Sequence, residues 1–166
     1  MSGAHFHLLV NHFPIVGTIL GMLILIAGII VKNITVKQTG LGTLIFAALS
    51  LSVALFTGDP AGDAVKGLPG VMESMIDHHE NIAYSSLWVL VPMGLLAALA
   101  FYSLWKNERS GNSLVFITFF VSLIAIGMMS WVGLTGGEIR HTEIRNPSAV
   151  IMPAGQETPT ENKDTD

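Results

Sequence analysis

The chain of 166 residues contains no cysteine and few charged residues. The absence of cysteine excludes disulfides, thiolate metal sites, iron–sulfur clusters and covalently attached c-type haem. Charged residues make up 12% of the sequence, against roughly 25% in soluble domains, whereas hydrophobic residues make up 51%. The basic residues form no patch that would bind nucleic acid. This composition predicts a membrane protein.

Charged residues are missing from four long windows, at 13–31, 38–58, 81–105 and 110–137. Each window comes close to or exceeds the ~20 residues that an apolar helix needs to cross a bilayer. We therefore predict an all-α fold, an integral membrane four-helix bundle of two antiparallel hairpins. Residues 1–145 form this domain, with helices at about 13–31, 41–57, 71–105 and 113–133. The polar segment 146–166 is predicted to be a disordered tail.

Proline and glycine set the expected helix ends. Pro14 fits the first turn of the first helix, where its missing N–H needs no partner; a helix that begins near Ala4 and is kinked at Pro14 is the alternative. The breaker cluster 57–60 is predicted to end the second helix. Pro92 is predicted to kink the third helix, and the fourth is predicted to end near 133–137.

Three glycines of the first helix, Gly17, Gly21 and Gly28, fall within about 40° of one another on a helical projection. Small residues in such a stripe let membrane helices approach closely. We predict that this stripe serves helix packing and not chemistry.

Basic residues indicate the orientation of the chain. The two predicted hairpin loops carry four of them, Lys32, Lys37, Lys106 and Arg109, whereas the opposite side carries Lys66, Arg140 and Arg145. Because basic loops tend to remain in the cytoplasm, both termini are predicted to be extracytoplasmic. The predicted location is a bacterial inner (cytoplasmic) membrane, with the histidines on the periplasmic side.

All six histidines fall on one side of the predicted bundle: His5, His7, His12, His78, His79 and His141. They come from three different helix ends, an arrangement that can build a site between the helices of a bundle. At the start of the third helix, His79 shares an apolar stripe with Met72 and Ile76, whereas His78 lies off that stripe. His79 is therefore a candidate metal ligand; a capping or core histidine that only donates a hydrogen bond is the alternative.

Two further motifs flank this histidine cluster. His79-Glu80 begins like the zinc-protease HExxH signature, but Ala83 replaces the second histidine, so the metalloprotease hypothesis fails. After the fourth helix, Gly136 and Gly137 would allow a close backbone approach to a bound group. Beyond them, Arg140 and Arg145 are candidates to pair with haem propionates and His141 is a candidate ligand; for the arginines, anchoring at the lipid headgroups is the alternative.

The chain resembles the DUF2231 family of predicted four-helix bacterial membrane proteins between about 6 and 141. The resemblance rests on short motifs: His12-Phe13-Pro14-Ile15, Thr57-Gly58, Pro60-Ala61, His79, and Gly136-Gly137 with His141. It implies His12, His79 and His141 as the histidines of the family pattern, and an association with electron transport, because some relatives look joined to cytochrome-like domains. The chain departs from the family at His5, His7 and His78, and at Asn11, where relatives often have an apolar residue.

Three functions fit these observations. The first is an electron-transfer subunit that binds haem b through two of His12, His79 and His141. The second is a non-haem copper, iron or zinc site built from the same histidines, with His5, His7, His78 and Glu80 as additional candidates. The third is a structural or assembly subunit without a cofactor. The expected partners are the lipid bilayer and other membrane or extracytoplasmic redox subunits, and no motif indicates a stand-alone enzyme.

Overall fold

The computed structural model describes residues 3–141. They form six α-helical segments: α1 (Gly3–Val10), α2 (His12–Ile30), α3 (Ile34–Val65), α4 (Glu73–Ser85), α5 (Leu87–Trp105) and α6 (Gly111–Glu138). Since α1 continues into α2 and α4 into α5, four helices are long and apolar enough to cross a membrane: Gly3–Ile30, Ile34–Val65, Glu73–Trp105 and Gly111–Glu138. The predicted all-α fold with four membrane-type helices is confirmed.

The first and third long helices are interrupted near their prolines, but not at them. α1 ends at Val10 and α2 begins at His12, so the first long helix is interrupted at Asn11. The interruption lies just before Pro14, whose ring crowds the carbonyl four residues earlier. The interruption of the third long helix lies at Ser86, whereas Pro92, where a kink was predicted, lies inside α5. Ser86 is buried, and its hydroxyl donates to the Ala83 carbonyl at 2.6 Å. Such a bond competes with the helical ladder and bends helices.

The predicted end of the second helix is wrong, because α3 continues through Pro60 to Val65. Around Pro60, α3 packs against α1 and α4: a Cβ on Gly3 would lie 3.5 Å from Pro60 Cβ, and one on Gly62 would lie 3.1 Å from Ile76. These contacts override the weak helical propensity of the breaker cluster. α6 ends at Glu138, one residue beyond the predicted 133–137. α2 begins at His12, close to the predicted 13, and α1 precedes it from Gly3, as in the alternative that begins near Ala4.

Two similar turns join the long helices at the other end of the molecule. Lys32 follows α2 with a φ of 54°, and Asn107 follows α5 with a φ of 57°. The next residue in each turn donates its N–H to a carbonyl five residues earlier: Asn33 to Gly28 at 3.1 Å, and Glu108 to Ser103 at 3.0 Å. This is the Schellman pattern, which satisfies carbonyls that a helix end leaves unpaired. Each turn therefore reverses the chain at a fixed residue.

Glycines bring α2 and α3 into backbone contact. A Cβ on Gly17 would lie 3.0 Å from the Cβ of Ala47, and one on Gly21 would lie 2.9 Å from the side chain of Leu44. A Cβ on Gly28 would lie 2.6 Å from the backbone nitrogen of Lys37. The packing role predicted for these three glycines is confirmed. As the residue number rises along α2 it falls along α3, so the two helices run in opposite directions.

The core is made of small and aliphatic side chains shared by all four long helices. Its fully buried members include Leu25, Leu41, Leu44, Leu90, Met93, Val115 and Met129. Large apolar side chains also cover the outside: Trp88 is 86% exposed and Phe56 85% exposed. An apolar exterior around a small-residue core is what a bilayer environment requires.

We expect Gly40→Ala to destabilise the bundle by about 1–3 kcal/mol, the usual cost of overpacking. A Cβ at Gly40 would lie 2.6 Å from the backbone nitrogen of Leu25, so two helix backbones would have to separate. Gly42→Ala is the matched control, because a Cβ there meets nothing within 4 Å. Thermal unfolding in detergent measures both; equal midpoints for the two variants would contradict the packing described above.

Candidate histidine site

The six histidines are not equivalent in the structure. His5, His12, His78 and His141 are exposed, whereas the side chains of His7 and His79 are partly buried. His7 lies on α1 and His79 on α4, at the end of the bundle opposite the two turns. The structure therefore singles out one histidine that the sequence ranked low, His7, beside one that it ranked high, His79.

His7 contacts the second long helix through its imidazole ring. Its Nδ1 lies 3.0 Å from the hydroxyl oxygen of Thr57. That hydroxyl also lies 2.9 Å from the Val53 carbonyl and 3.0 Å from the Ala54 carbonyl, both of which can only accept. Since a hydroxyl has a single hydrogen and these carbonyls need a donor, we assign that hydrogen to the helix, so that Thr57 accepts from Nδ1–H of His7 in the corresponding tautomer. In that tautomer the opposite ring nitrogen, Nε2, keeps its lone pair.

His79 repeats this arrangement in the second helix pair. Its Nδ1 lies 3.0 Å from the hydroxyl oxygen of Thr135, and that hydroxyl lies 3.2 Å from the Trp131 carbonyl and 3.1 Å from the Val132 carbonyl. With the same assignment of the hydroxyl hydrogen to the helix, Thr135 accepts from Nδ1–H of His79, and Nε2 keeps its lone pair in that tautomer. The ring is also in hydrogen-bond reach of the Val132 backbone, as His7 is of Ala54.

Each threonine is followed by a glycine against which the imidazole lies. A Cβ on Gly58 would be 3.7 Å from Cε1 of His7, and a Cβ on Gly136 would be 3.0 Å from Cε1 of His79. Gly136 therefore permits a close approach, as predicted, but the group that approaches it is His79 itself. A Cβ on Gly137 meets nothing within 4 Å. We call the set His7, Thr57, Gly58, His79, Thr135 and Gly136 the histidine–threonine site.

The turns explain why the partners meet. His7 and Thr57 are 50 residues apart, with Lys32 at the midpoint; His79 and Thr135 are 56 residues apart, with Asn107 at the midpoint. Two helices of equal rise that leave one turn reach the same height after the same number of residues. Each histidine therefore lies level with the threonine of the neighbouring helix.

His7 and His79 lie on helices of neighbouring pairs at the same end of the bundle. α1 packs against α3, α4 packs against α6, and α3 also packs against α4. His79 lies within electrostatic range of His7. One turn beyond His7 lies Asn11, whose Oδ1 is the one buried side-chain polar atom within residues 3–141 that lacks a hydrogen-bond partner. An unpaired buried amide oxygen is costly, so a donor from a bound group would stabilise Oδ1 of Asn11.

The other predicted ligands lie elsewhere. His12 is exposed, and its Nδ1 lies 3.1 Å from the Leu8 carbonyl of its own chain segment. On a helical projection, His12 lies about 180° from Gly21, which packs against α3. His7 lies two turns before the buried Pro14 and on the same helix face as that residue. Arg140 and His141 are exposed just beyond α6. Arg145 and the tail 146–166 lie outside the described residues.

Carboxylates surround this end but do not join the imidazoles. Glu80 is partly buried, and its Oε1 would lie 3.0 Å from a Cβ on Gly62, on the α3 side. At the end of α3, Asp63 accepts a hydrogen bond from Lys66 at 2.9 Å, which raises the pKa of the Lys66 ammonium. Among residues 3–141, no group of three or more His, Cys, Asp or Glu side chains could hold a metal ion.

Thr57, Thr135 and Asn11 are site residues that the sequence analysis did not identify. The signal that could have found the threonines is their repetition: an aromatic or aliphatic residue, then Thr-Gly, occurs near the end of the second and of the fourth long helix, as Phe56-Thr57-Gly58 and Leu134-Thr135-Gly136. The signal for Asn11 is its spacing of four residues from His7, which puts both on one helix face.

We expect His7 and His79 to populate the neutral tautomer with the proton on Nδ1, because each Nδ1 faces an acceptor. Nitrogen-15 NMR of labelled histidine measures the tautomer directly. Thr135→Val removes the acceptor hydroxyl at constant shape and is expected to change the signals of His79 and leave those of His7 unchanged. The control is Thr39→Val, since Thr39 donates to its own helix near the turns. A proton on Nε2 of both histidines in the unaltered chain would contradict this assignment.

Comparison of the chain with family models, with curated proteins and with solved structures gives no match. The resemblance to DUF2231 therefore stays a prediction from the motifs, and the function is argued from the histidine–threonine site.

Proposed function

We propose that this protein is an integral membrane electron-transfer subunit that binds haem b, with His7 and His79 as the two axial ligands. The observation that carries the proposal is the duplicated His, Thr and Gly arrangement, in which both imidazoles are fixed through Nδ1 and both keep the Nε2 lone pair. Ligating histidines almost always donate their other ring N–H to an acceptor, which fixes the tautomer and orients the ring. His79 was predicted as a ligand from the sequence, whereas His7 takes the place expected for His12 or His141.

The number of donors favours haem over a non-haem metal. Structural zinc takes four protein ligands and catalytic zinc three, whereas axial ligation of a haem needs only two side chains. His7 and His79 lie within electrostatic range of each other, and within residues 3–141 no group of three or more His, Cys, Asp or Glu side chains could hold a metal ion. Copper, iron or zinc would need a further ligand, which makes the non-haem site the second candidate.

The surroundings also fix the direction of the two imidazoles. Gly58 and Gly136 carry no Cβ, so each ring lies directly against the backbone of the neighbouring helix and is oriented by it. The unpaired Oδ1 of Asn11 belongs to an amide that, after rotation, donates to an oxygen of a bound group. Bound haem iron supplies one-electron redox chemistry. The chain itself orients the ligands and lowers the polarity around them.

We place the protein in a bacterial inner membrane as two antiparallel hairpins, with both termini and the histidine–threonine site on the periplasmic side. This orientation rests on the basic residues at the opposite end, Lys32, Lys37, Lys106 and Arg109. The redox partners are other membrane or periplasmic subunits, because the site lies at one end of the bundle where such partners can approach. The DUF2231 resemblance supports the same kind of role.

The test is a titration of haemin into the full chain purified in detergent, followed by optical spectroscopy. We expect the spectrum of six-coordinate low-spin haem with two imidazole ligands, in both oxidation states. His7→Ala and His79→Ala should each abolish it. Thr57→Val and Thr135→Val should each weaken haem binding by about 10–100-fold, the usual effect of removing the hydrogen-bond partner of a ligand.

Two matched controls make the titration specific. His12→Ala and His78→Ala remove exposed histidines from the same helices, and both variants should bind haemin like the unaltered chain. Unchanged binding by His79→Ala would refute the proposal. A chain that takes up no haemin but holds stoichiometric copper, iron or zinc would support the non-haem site instead, and one that holds neither would favour an assembly subunit.

A further inference from the structure

A second site lies at the turn end of the bundle, away from the histidines. A cavity of about 530 Å³ opens between the two turns, and its polar lining includes Lys32 and Lys37 from the first turn region and Asn107 and Asn112 from the second. Its apolar lining includes Ile29 and Phe116, from α2 and α6. None of these residues belongs to the histidine–threonine site.

The polar part of this cavity is positively charged. Lys37 Nζ donates to Asn112 Oδ1 at 2.8 Å, which joins α3 to α6 across the cavity. The one carboxylate in the lining, Glu108, accepts from the hydroxyls of Ser103 at 3.1 Å and Ser110 at 3.4 Å. Since both of its hydroxyl partners are neutral, two ammonium groups stand against one carboxylate. The balance favours an anion.

The apolar part of the cavity continues along the bundle toward its middle. A second cavity of about 130 Å³ is lined only by Ile26, Ile29, Ile30, Phe116 and Phe119. Ile29 and Phe116 line both cavities, so the two are adjacent on the seam between α2 and α6. The pair of cavities thus has a cationic end at the level of the turns and an apolar end within the membrane-type helices.

We propose that this seam binds one anionic phospholipid, with its phosphate beside Lys32 and Lys37 and an acyl chain along Ile29 and Phe116. Ammonium and amide groups suit a phosphate, and basic pockets between membrane helices hold acidic headgroups. An apolar slot at membrane depth suits a hydrocarbon chain and no free ion. A zwitterionic lipid fits less well because its headgroup carries a positively charged ammonium group, which the two lysines would repel. This proposal does not depend on haem binding.

The test uses thermal unfolding of the full chain in detergent with added lipid. We expect phosphatidylglycerol to raise the Tm by about 5 °C near saturation, whereas phosphatidylcholine and inorganic phosphate should leave it within error. A double substitution, Lys32→Gln with Lys37→Gln, should abolish the shift. Phe116→Ala should reduce it, because that side chain lines both cavities.

The matched control is Lys106→Gln. Lys106 lies at the same end of the bundle but stacks on the rings of Trp105 and Tyr102, with Nζ 5.0 Å and 5.8 Å from the ring centroids. Its removal should leave the lipid shift intact. If Lys106→Gln lost the Tm shift to the same extent as the double variant, the effect would be one of general surface charge and the proposal would be overturned. It would also be overturned if phosphatidylcholine gave the same Tm shift as phosphatidylglycerol, or if inorganic phosphate alone gave a shift. Should the double variant fail to fold, native mass spectrometry of the unaltered chain and of Phe116→Ala tests the proposal instead. The proposal requires that the unaltered chain retain one phosphatidylglycerol and that Phe116→Ala retain a smaller fraction of it.

Discussion

The position of the two turns is the constraint on which the site depends. In each helix pair, a residue with a positive φ, Lys32 or Asn107, lies midway between a histidine and the threonine that it contacts. At 1.5 Å per residue, the histidines lie about 40 Å from the turns, which exceeds the roughly 30 Å of bilayer hydrocarbon. The turns therefore decide that each histidine lies level with its threonine and that both pairs lie at one end of the bundle, with Lys32, Lys37 and Lys106 at the other.

Close packing carries this register along the helices. Gly28 and Gly40 let the backbones of α2 and α3 approach near the turn, and Gly17 continues the contact farther along. In a bilayer, helices associate through such packing and not through exclusion of water, because lipid is as apolar as the side chains. Larger residues at these points would separate the helices and tilt Thr57 away from His7. The glycine stripe is thus a condition of the site although it touches none of its residues.

Much of the fold could be predicted from the sequence, because four charge-free windows have few alternatives in a membrane protein. The end of α3 could not, since the local rule for breakers failed there: Pro60 is helical because α1 and α4 pack against α3 beside it. The site depended on a second choice of this kind. With the first helix predicted to begin near 13, and a start near Ala4 only as the alternative, His7 was not assigned a helix face, and the motif around His12 favoured a side chain that is exposed. From the sequence, Thr57 was interpreted as part of the breaker cluster 57–60, and Thr135 as part of the end of the fourth helix.

The duplicated geometry sets the same condition for both helix pairs. The two helix pairs differ in length, with 50 residues between His7 and Thr57 but 56 between His79 and Thr135. Within each pair, however, the turn stays at the midpoint. One added residue in a single arm would move a partner by 1.5 Å and rotate it by about 100°, which would break the contact. Equal arms are therefore the geometric condition under which each imidazole keeps its threonine, whatever the length of the pair.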